Sequence, residues 1–230
     1  MKKFFAVLLV LVFCMTSVSA LAAGKLNVAQ ENFYTVTTSY SVTGYVFAKV
    51  ENTGDKTIGI KGGLFEVYDA DGETVATDDY PYTYLHVLEP GEYTYVRGYG
   101  YVSDPEAVMD DYTFEIYGKG ELDYIDNRLP VETELALDYK EGYSTYNYMF
   151  ATVTNDTEET AYDVEVVMAL LAEDGQILYV NNVSLYNVGI TAGSSATFRI
   201  NIDSAFMDYI NENGITVAGV DAIAFTEKWN

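Results

Sequence analysis

Tyr45-Val46-Phe47-Ala48-Lys49-Val50-Glu51-Asn52 returns as Tyr148-Met149-Phe150-Ala151-Thr152-Val153-Thr154-Asn155, 103 residues later. The match runs without a gap from Tyr45–Asp78 to Tyr148–Asn181. Thr57, Asp71 and Gly72 recur as Thr160, Asp174 and Gly175, and upstream Tyr40-Ser41 recurs as Tyr143-Ser144. The chain is therefore a tandem of two copies of one unit. Within the quoted stretch Val46, Ala48 and Val50 alternate with Tyr45, Phe47, Lys49 and Glu51, the period of two that marks a strand with one face inward.

Working outward, the same grammar continues. Leu64–Tyr68 and Glu73–Ala76 flank Asp71-Gly72, and Val164–Leu171 and Gln176–Val180 flank Asp174-Gly175. Asp-Gly at a hairpin tip supplies the positive backbone angles such turns require. Turns at Pro90-Gly91 and Ala192-Gly193 precede strands at Glu92–Arg97 and Ser194–Ile202. A short helix is expected in each copy, over Glu106–Asp111 behind Asp104-Pro105 and over Ala205–Asn213 behind a Ser204 cap, with Gly214 as its stop. The last strands are Tyr112–Tyr117 and Val217–Phe225. Short strands separated by turns read as sandwiches. The boundaries fall at 24–126 and 131–230, joined by a short link at 127–130.

The N-terminal segment 1–23 reads as an export signal. Met1-Lys2-Lys3 is cationic, Phe4–Cys14 is apolar but too short for a bilayer span, and small residues lead to cleavage after Ala20, Ala22 or Ala23. An uncleaved anchor is the alternative. Bulky Phe13 before Cys14 argues against a lipid-modified cysteine, so Cys14 leaves with the signal. The mature chain is then free of cysteine, which excludes disulfides, thiolate metal sites and a cysteine nucleophile. Without Lys2 and Lys3, 10 of the 12 basic residues remain against 35 acidic ones, a net of −25. That balance excludes nucleic acid, which demands clustered Lys and Arg, and disfavours anionic membrane surfaces. Beyond the signal, no apolar stretch reaches the ~20 residues of a membrane span.

Leu64-Phe65-Glu66-Val67-Tyr68-Asp69 resembles the Phe-x-Leu-Tyr-Asp signature of the FxLYD domain family, with Val in place of Leu. Val50-Glu51-Asn52, Asp71-Gly72 and Leu88-Glu89-Pro90-Gly91-Glu92 extend the resemblance over roughly 44–96. The second copy departs from it: Met168-Ala169-Leu170-Leu171-Ala172 stands at the signature and Thr191-Ala192-Gly193-Ser194 at the proline turn. It is identified as a member through its repeat relation to the first. The resemblance implies immunoglobulin-like β-sandwiches in an exported bacterial protein and carries no catalytic residues. The expected fold is thus all-β, two tandem immunoglobulin-like sandwiches, each with a short helix before its last strand.

Reactive machinery is sparse. His86 is the one histidine in the chain, and no Gly-x-Ser-x-Gly elbow precedes a serine. Adjacent carboxylates at Asp78-Asp79 and Asp110-Asp111 point to opposite faces of a strand and do not converge. Asp69-Ala70-Asp71-Gly72-Glu73 is reminiscent of a calcium loop but lacks a third ligand before the glycine and a distal glutamate. No enzymatic activity, cofactor or metal is expected. The 22 tyrosines are the sharper signal. Aligning the later strands at an offset of 102 puts Thr94, Val96 and Gly98 inward and Tyr93, Tyr95 and Arg97 outward. With Tyr80, Tyr82 and Tyr84 they form an expected exposed tyrosine face on the first copy. Such a face suits glycan stacking or protein contacts; the plainer reading is cross-strand pairing that stiffens a disulfide-free sheet. The function expected is a non-catalytic secreted or cell-envelope interaction module binding protein or glycan. The alternative is a structural spacer without its own ligand, and a calcium-binding surface protein is a third reading.

Overall fold

Alternation of apolar and polar side chains makes most of the described chain strand. The computed structural model describes residues 24–120, 122 and 124–229, with backbone alone at Trp229. The segment 1–23 expected to be an export signal, with Cys14 in it, lies outside the described residues. The first repeat forms β1 (Leu26–Thr37), β2 (Val42–Asn52), β3 (Ile58–Tyr68), β4 (Thr74–Asp78), β5 (Tyr82–Thr83), β6 (Val87–Leu88), β7 (Tyr93–Val102) and β8 (Asp111–Lys119). One sheet runs β1-β2-β7-β5; facing it, β3 pairs with β8 on one edge and with β4 and β6 on the other. As the alternation predicts, Val46, Ala48 and Val50 are buried between these sheets with Phe65, Val67 and Val96. Gly72 (φ +82°) and Gly175 (φ +86°) turn the two hairpin tips in the left-handed region that a side chain resists.

The second repeat repeats the plan. It contains β10 (Val131–Glu141), β11 (Ser144–Thr154), β12 (Ala161–Tyr162), β13 (Glu165–Ala172), β14 (Ile177–Ser184), β15 (Gly189–Ile190), β16 (Ser195–Asn201), α1 (Ser204–Glu212) and β17 (Val217–Trp229). Its sheets are β10-β11-β16 and β14-β13-β17, with a β12-β15 ladder at one end. A buried asparagine recurs with the repeat. Asn52 donates to the Lys56 and Leu88 carbonyls at 2.8 and 2.9 Å, and Asn155 donates to those of Glu159 and Ile190, both at 2.7 Å. Each ties the end of one strand to a loop and to a short strand. A buried amide with every partner supplied rigidifies a disulfide-free core.

Three expectations change. The link at 127–130 is mostly strand: β9 (Tyr124–Leu129) pairs with β17, from Ala224↔Leu129 to Trp229↔Tyr124, and β10 starts directly after Pro130. The first copy has no helix over Glu106–Asp111. Asp104 caps a single turn there, accepting from the Glu106 amide at 2.9 Å, but Val108 is exposed and of this segment Met109 packs against the core. The equivalent α1 buries Phe206, Met207 and Ile210, which offsets the cost of nucleating a helix. Its N-cap is Asp203, whose side chain accepts from the Ala205 amide, one residue before the expected Ser204.

β13 is buried at every position from Val166 to Leu170. Successive residues point to opposite faces, so both faces of its sheet are covered. β10-β11-β16 covers one. The outer face of β1-β2-β7-β5 covers the other, and a single apolar cluster runs from Phe47 and Tyr95 of the first repeat to Met149 and Phe225 of the second. The chain thus stacks four successive sheets around one continuous apolar cluster.

Candidate functional site

β2 and β7 hold the register that sets the tyrosine face, with Lys49 opposite Tyr95 and Phe47 opposite Arg97. The second repeat copies it, with Thr152 opposite Thr197 and Phe150 opposite Arg199. Tyr93, Tyr95 and Arg97 do point away from Thr94 and Val96. They do not reach solvent as a ladder, because the second repeat lies on them. Tyr95 is 1% exposed and Tyr84 2%. Tyr95 and Tyr93 both donate their hydroxyls to Asp221 Oδ2, at 2.5 and 2.8 Å. Burial, with the Asp221 charge beside them, pushes both phenols well above the ordinary tyrosine value. Lys49 Nζ caps the Tyr93 ring at 3.7 Å.

The rest of the seam is equally specific. Phe47 meets Tyr179 and Phe206 of the second repeat at ring separations of 5.9 and 5.4 Å. Three donors on β1 reach across it: Gln30 to the Gly175 carbonyl at 2.9 Å, and Asn32 and Tyr34 to the Ile177 carbonyl at 2.9 and 2.7 Å. His86 closes the far end. Its backbone amide donates to Glu227 Oε1 at 2.9 Å and its Nδ1 sits 2.8 Å from Oε2, while the ring stacks on Tyr124. Arg97 sits half-buried at the seam, where its charge opposes the burial that raises Tyr45, Tyr82, Tyr84 and Tyr179. Of the six residues picked from the sequence, only Tyr80 and Tyr82 stay on the surface, at 84% and 49% exposure.

Among the described residues nothing covers the equivalent face of the second repeat, and the tyrosine spacing of the first copy does not mark it. Tyr148, 5% exposed beneath its own neighbours, and half-buried Phe150 stand where Tyr45 and Phe47 stand in the first copy. Tyr139 joins them because β10 shifts register between Ala136 and Tyr139, at Asp138 with φ +55°. An extra residue in a strand switches the parity of the residues after it, and here it re-aims a tyrosine onto the aromatic face. Tyr139 lies 5.7 Å from Tyr148 and 6.3 Å from Phe150, and Tyr146 stacks on Tyr148 at 5.4 Å. The Arg199 guanidinium covers Tyr148 at 4.9 Å and pairs with Glu141 at 3.4 Å. Beside the rings, Thr152 bonds Thr197 at 3.0 Å and Thr154 bonds Ser195 at 2.9 Å. A shallow groove of about 450 Å³ runs between Glu132, Glu134, Tyr139, Phe150, Thr152 and Thr197. The signal that points here is the recurrence of Tyr45 and Phe47 itself: an outward aromatic pair appears twice, and its cover appears once.

The acidic loop behaves as a turn. Asp69 Oδ1 accepts from the amides of Asp71 and Glu73 at 3.0 and 2.9 Å. Among the described residues, no group of three or more His, Cys, Asp or Glu side chains is placed to hold a metal ion, and no helix is long and apolar enough to cross a membrane.

No family model matches the chain, and no curated protein does. Among solved structures, a calcium-binding mutant of β-glucuronidase 2 from Bacteroides uniformis is similar over 79% of this chain and 28% of its own. The identity is 11% and the TM-score 0.20, a likeness that carries no argument about fold or activity.

Proposed function

We propose that this protein is a non-catalytic interaction module, exported by its N-terminal signal to the cell envelope or beyond, and that it binds protein or glycan there. One observation carries the reading. Two equivalent outer sheet faces exist; the chain buries one with its own second half, and among the described residues nothing covers the other, with aromatic rings, carboxylates and hydroxyls gathered on it. Exposed aromatics with a polar surround are the common chemistry of recognition surfaces. The seam serves that role by holding the open face on a stiff four-sheet body.

The mature chain, incubated with cell-envelope material, is expected to be retained. Tyr139→Ser is expected to abolish retention at an unchanged melting temperature. Retention unaffected by Tyr139→Ser removes this face from the reading. Absence of any retention leaves the second reading, a structural spacer, which the many bonds across the seam favour.

A further inference from the structure

The two outer faces are built on one register, so their differences can be compared position by position. Opposite Lys49, Phe47 and Tyr45 on β2 stand Gln30, Asn32 and Tyr34 on β1; opposite Thr152, Phe150 and Tyr148 on β11 stand Glu132, Glu134 and Ala136 on β10. In the first repeat all three β1 residues are hydrogen-bond donors, and each is used on a backbone carbonyl of the covering repeat. In the second repeat the first two are carboxylates, which only accept when ionised, and the third has no polar side-chain atom. Across the groove, Tyr93 and Tyr95 give way to Ser195 and Thr197. The open face is therefore not an unfilled copy of the covered one. A sandwich edge presenting carbonyls, as the start of β14 does at the seam, would set acceptor against acceptor and leave the carboxylates unpaired, a costly arrangement once water is excluded.

Its occupant must instead bring donors to Glu132 and Glu134, an apolar flat surface to Tyr139 and Phe150, and mixed partners to the threonine hydroxyls. Two chemistries bring donors: hydroxyl groups and cationic side chains. Arg199 decides between them. Its guanidinium lies over Tyr148 and 3.4 Å from Glu141 beside the groove, so a lysine- or arginine-rich partner would meet a like charge at that end of the face. A sugar ring has no such conflict. Its hydroxyls donate to carboxylates and exchange bonds with threonines, and its C–H face lies on a tyrosine or phenylalanine ring. The openness of the groove along the sheet suits a chain that runs past the site rather than a small molecule enclosed by it. Anionic polymers are disfavoured by Glu132, Glu134 and the chain's net charge.

We infer that the open face of β10-β11-β16 is a binding site for a neutral polysaccharide, with Tyr139 and Phe150 as the stacking platform and Glu132 and Glu134 as hydroxyl acceptors. This rests on the interaction-module reading above and names its ligand class. The mature chain is run through native gels cast with laminarin, soluble xylan, galactomannan or polygalacturonate, and titrated calorimetrically with whichever retards it. At least one neutral polymer is expected to retard it and polygalacturonate to leave it unretarded. Tyr139→Ala and Glu134→Gln are each expected to weaken binding about tenfold or more. Tyr80→Ala, at an exposed tyrosine of the first repeat, should leave binding intact. Melting temperatures of all variants guard against loss through unfolding. Failure of every neutral polymer, binding that survives Tyr139→Ala and Glu134→Gln together, or capture by polylysine in their place overturns the inference. Envelope retention that survives periodate oxidation of the glycan would overturn it while leaving the module reading standing. Loss of all retention, oxidised or not, would sink the module reading itself.

Discussion

Phe47 and Phe150 occupy the same position of the same repeat, and only the stacking of the two halves separates their surroundings. Phe47 is fully buried, with Tyr34 and Tyr45 beside it and Tyr179 and Phe206 laid over it from the second repeat. Phe150 is half-buried, touching Tyr139 and Tyr148 on an open face. Truncating a buried phenylalanine to alanine costs about 3–5 kcal/mol, the transfer term plus the cavity left behind. A half-exposed ring with no cover leaves no closed cavity, and half of the ~1.5–3 kcal/mol for full burial gives about 1 kcal/mol. Phe47→Ala is thus expected to cost about 2–4 kcal/mol more than Phe150→Ala. At ~2–4 °C per kcal/mol for a chain of this size, that difference is roughly 4–16 °C in melting temperature. Urea unfolding followed by far-UV circular dichroism and by tyrosine fluorescence measures both variants and tests whether the probes coincide. Were the halves apart in solution, Phe47 would be as exposed as Phe150. Equal costs for the two substitutions would therefore refute the stacked arrangement.

The geometry sets four further outcomes. Asp221→Ala strands the Tyr93 and Tyr95 hydroxyls at about 1–3 kcal/mol each, whereas Tyr93→Phe, at the less buried of the two, should cost only about 1 kcal/mol; chemical denaturation ranks them. Burial raises the Glu165 carboxyl above its ordinary value, Glu227 adds to the rise, and Asn182 and His86 oppose it. The folded state then holds that proton more tightly than the unfolded state, so stability grows as pH falls from neutral toward the ordinary carboxylate value and is lower above that window. Glu165→Gln is expected to raise the melting temperature at neutral pH and to flatten its rise on acidification. Tyr34, Tyr84, Tyr93 and Tyr95 are all pushed upward by burial, so the unfolded chain ionises first above pH ~10 and alkali should unfold the protein in one step with the tyrosinate absorbance change. Gly63→Ala drives a side chain into the Glu115 carbonyl on β8, and loss of the β3–β8 ladder should show as accelerated amide exchange across both strands.

Much of this protein was legible because β-structure writes its period locally. Val46, Ala48 and Val50, with Met149, Ala151 and Val153, declare which way each central strand faces, and Asp71-Gly72 and Asp174-Gly175 declare where hairpins turn. The same reasoning put Tyr93, Tyr95 and Arg97 on the outer face, which they occupy. It went astray where spacing stayed the same and chemistry changed: Glu106–Asp111 has the cap of a helix and Met109 half-buried against the core where α1 buries Phe206, Met207 and Ile210. It went astray again at Asn127–Leu129, whose strand character exists only through pairing with β17, about 100 residues away in sequence. By itself the sequence determined the repeat, the central strands and the inward side of each, since these depend on neighbours a few residues apart. Only the tertiary structure decided which outward face meets solvent, because an alternating pattern says that Phe47 and Phe150 both turn away from their own sandwich and says nothing about what lies beyond. The second repeat, folding onto the first, buried one and exposed the other.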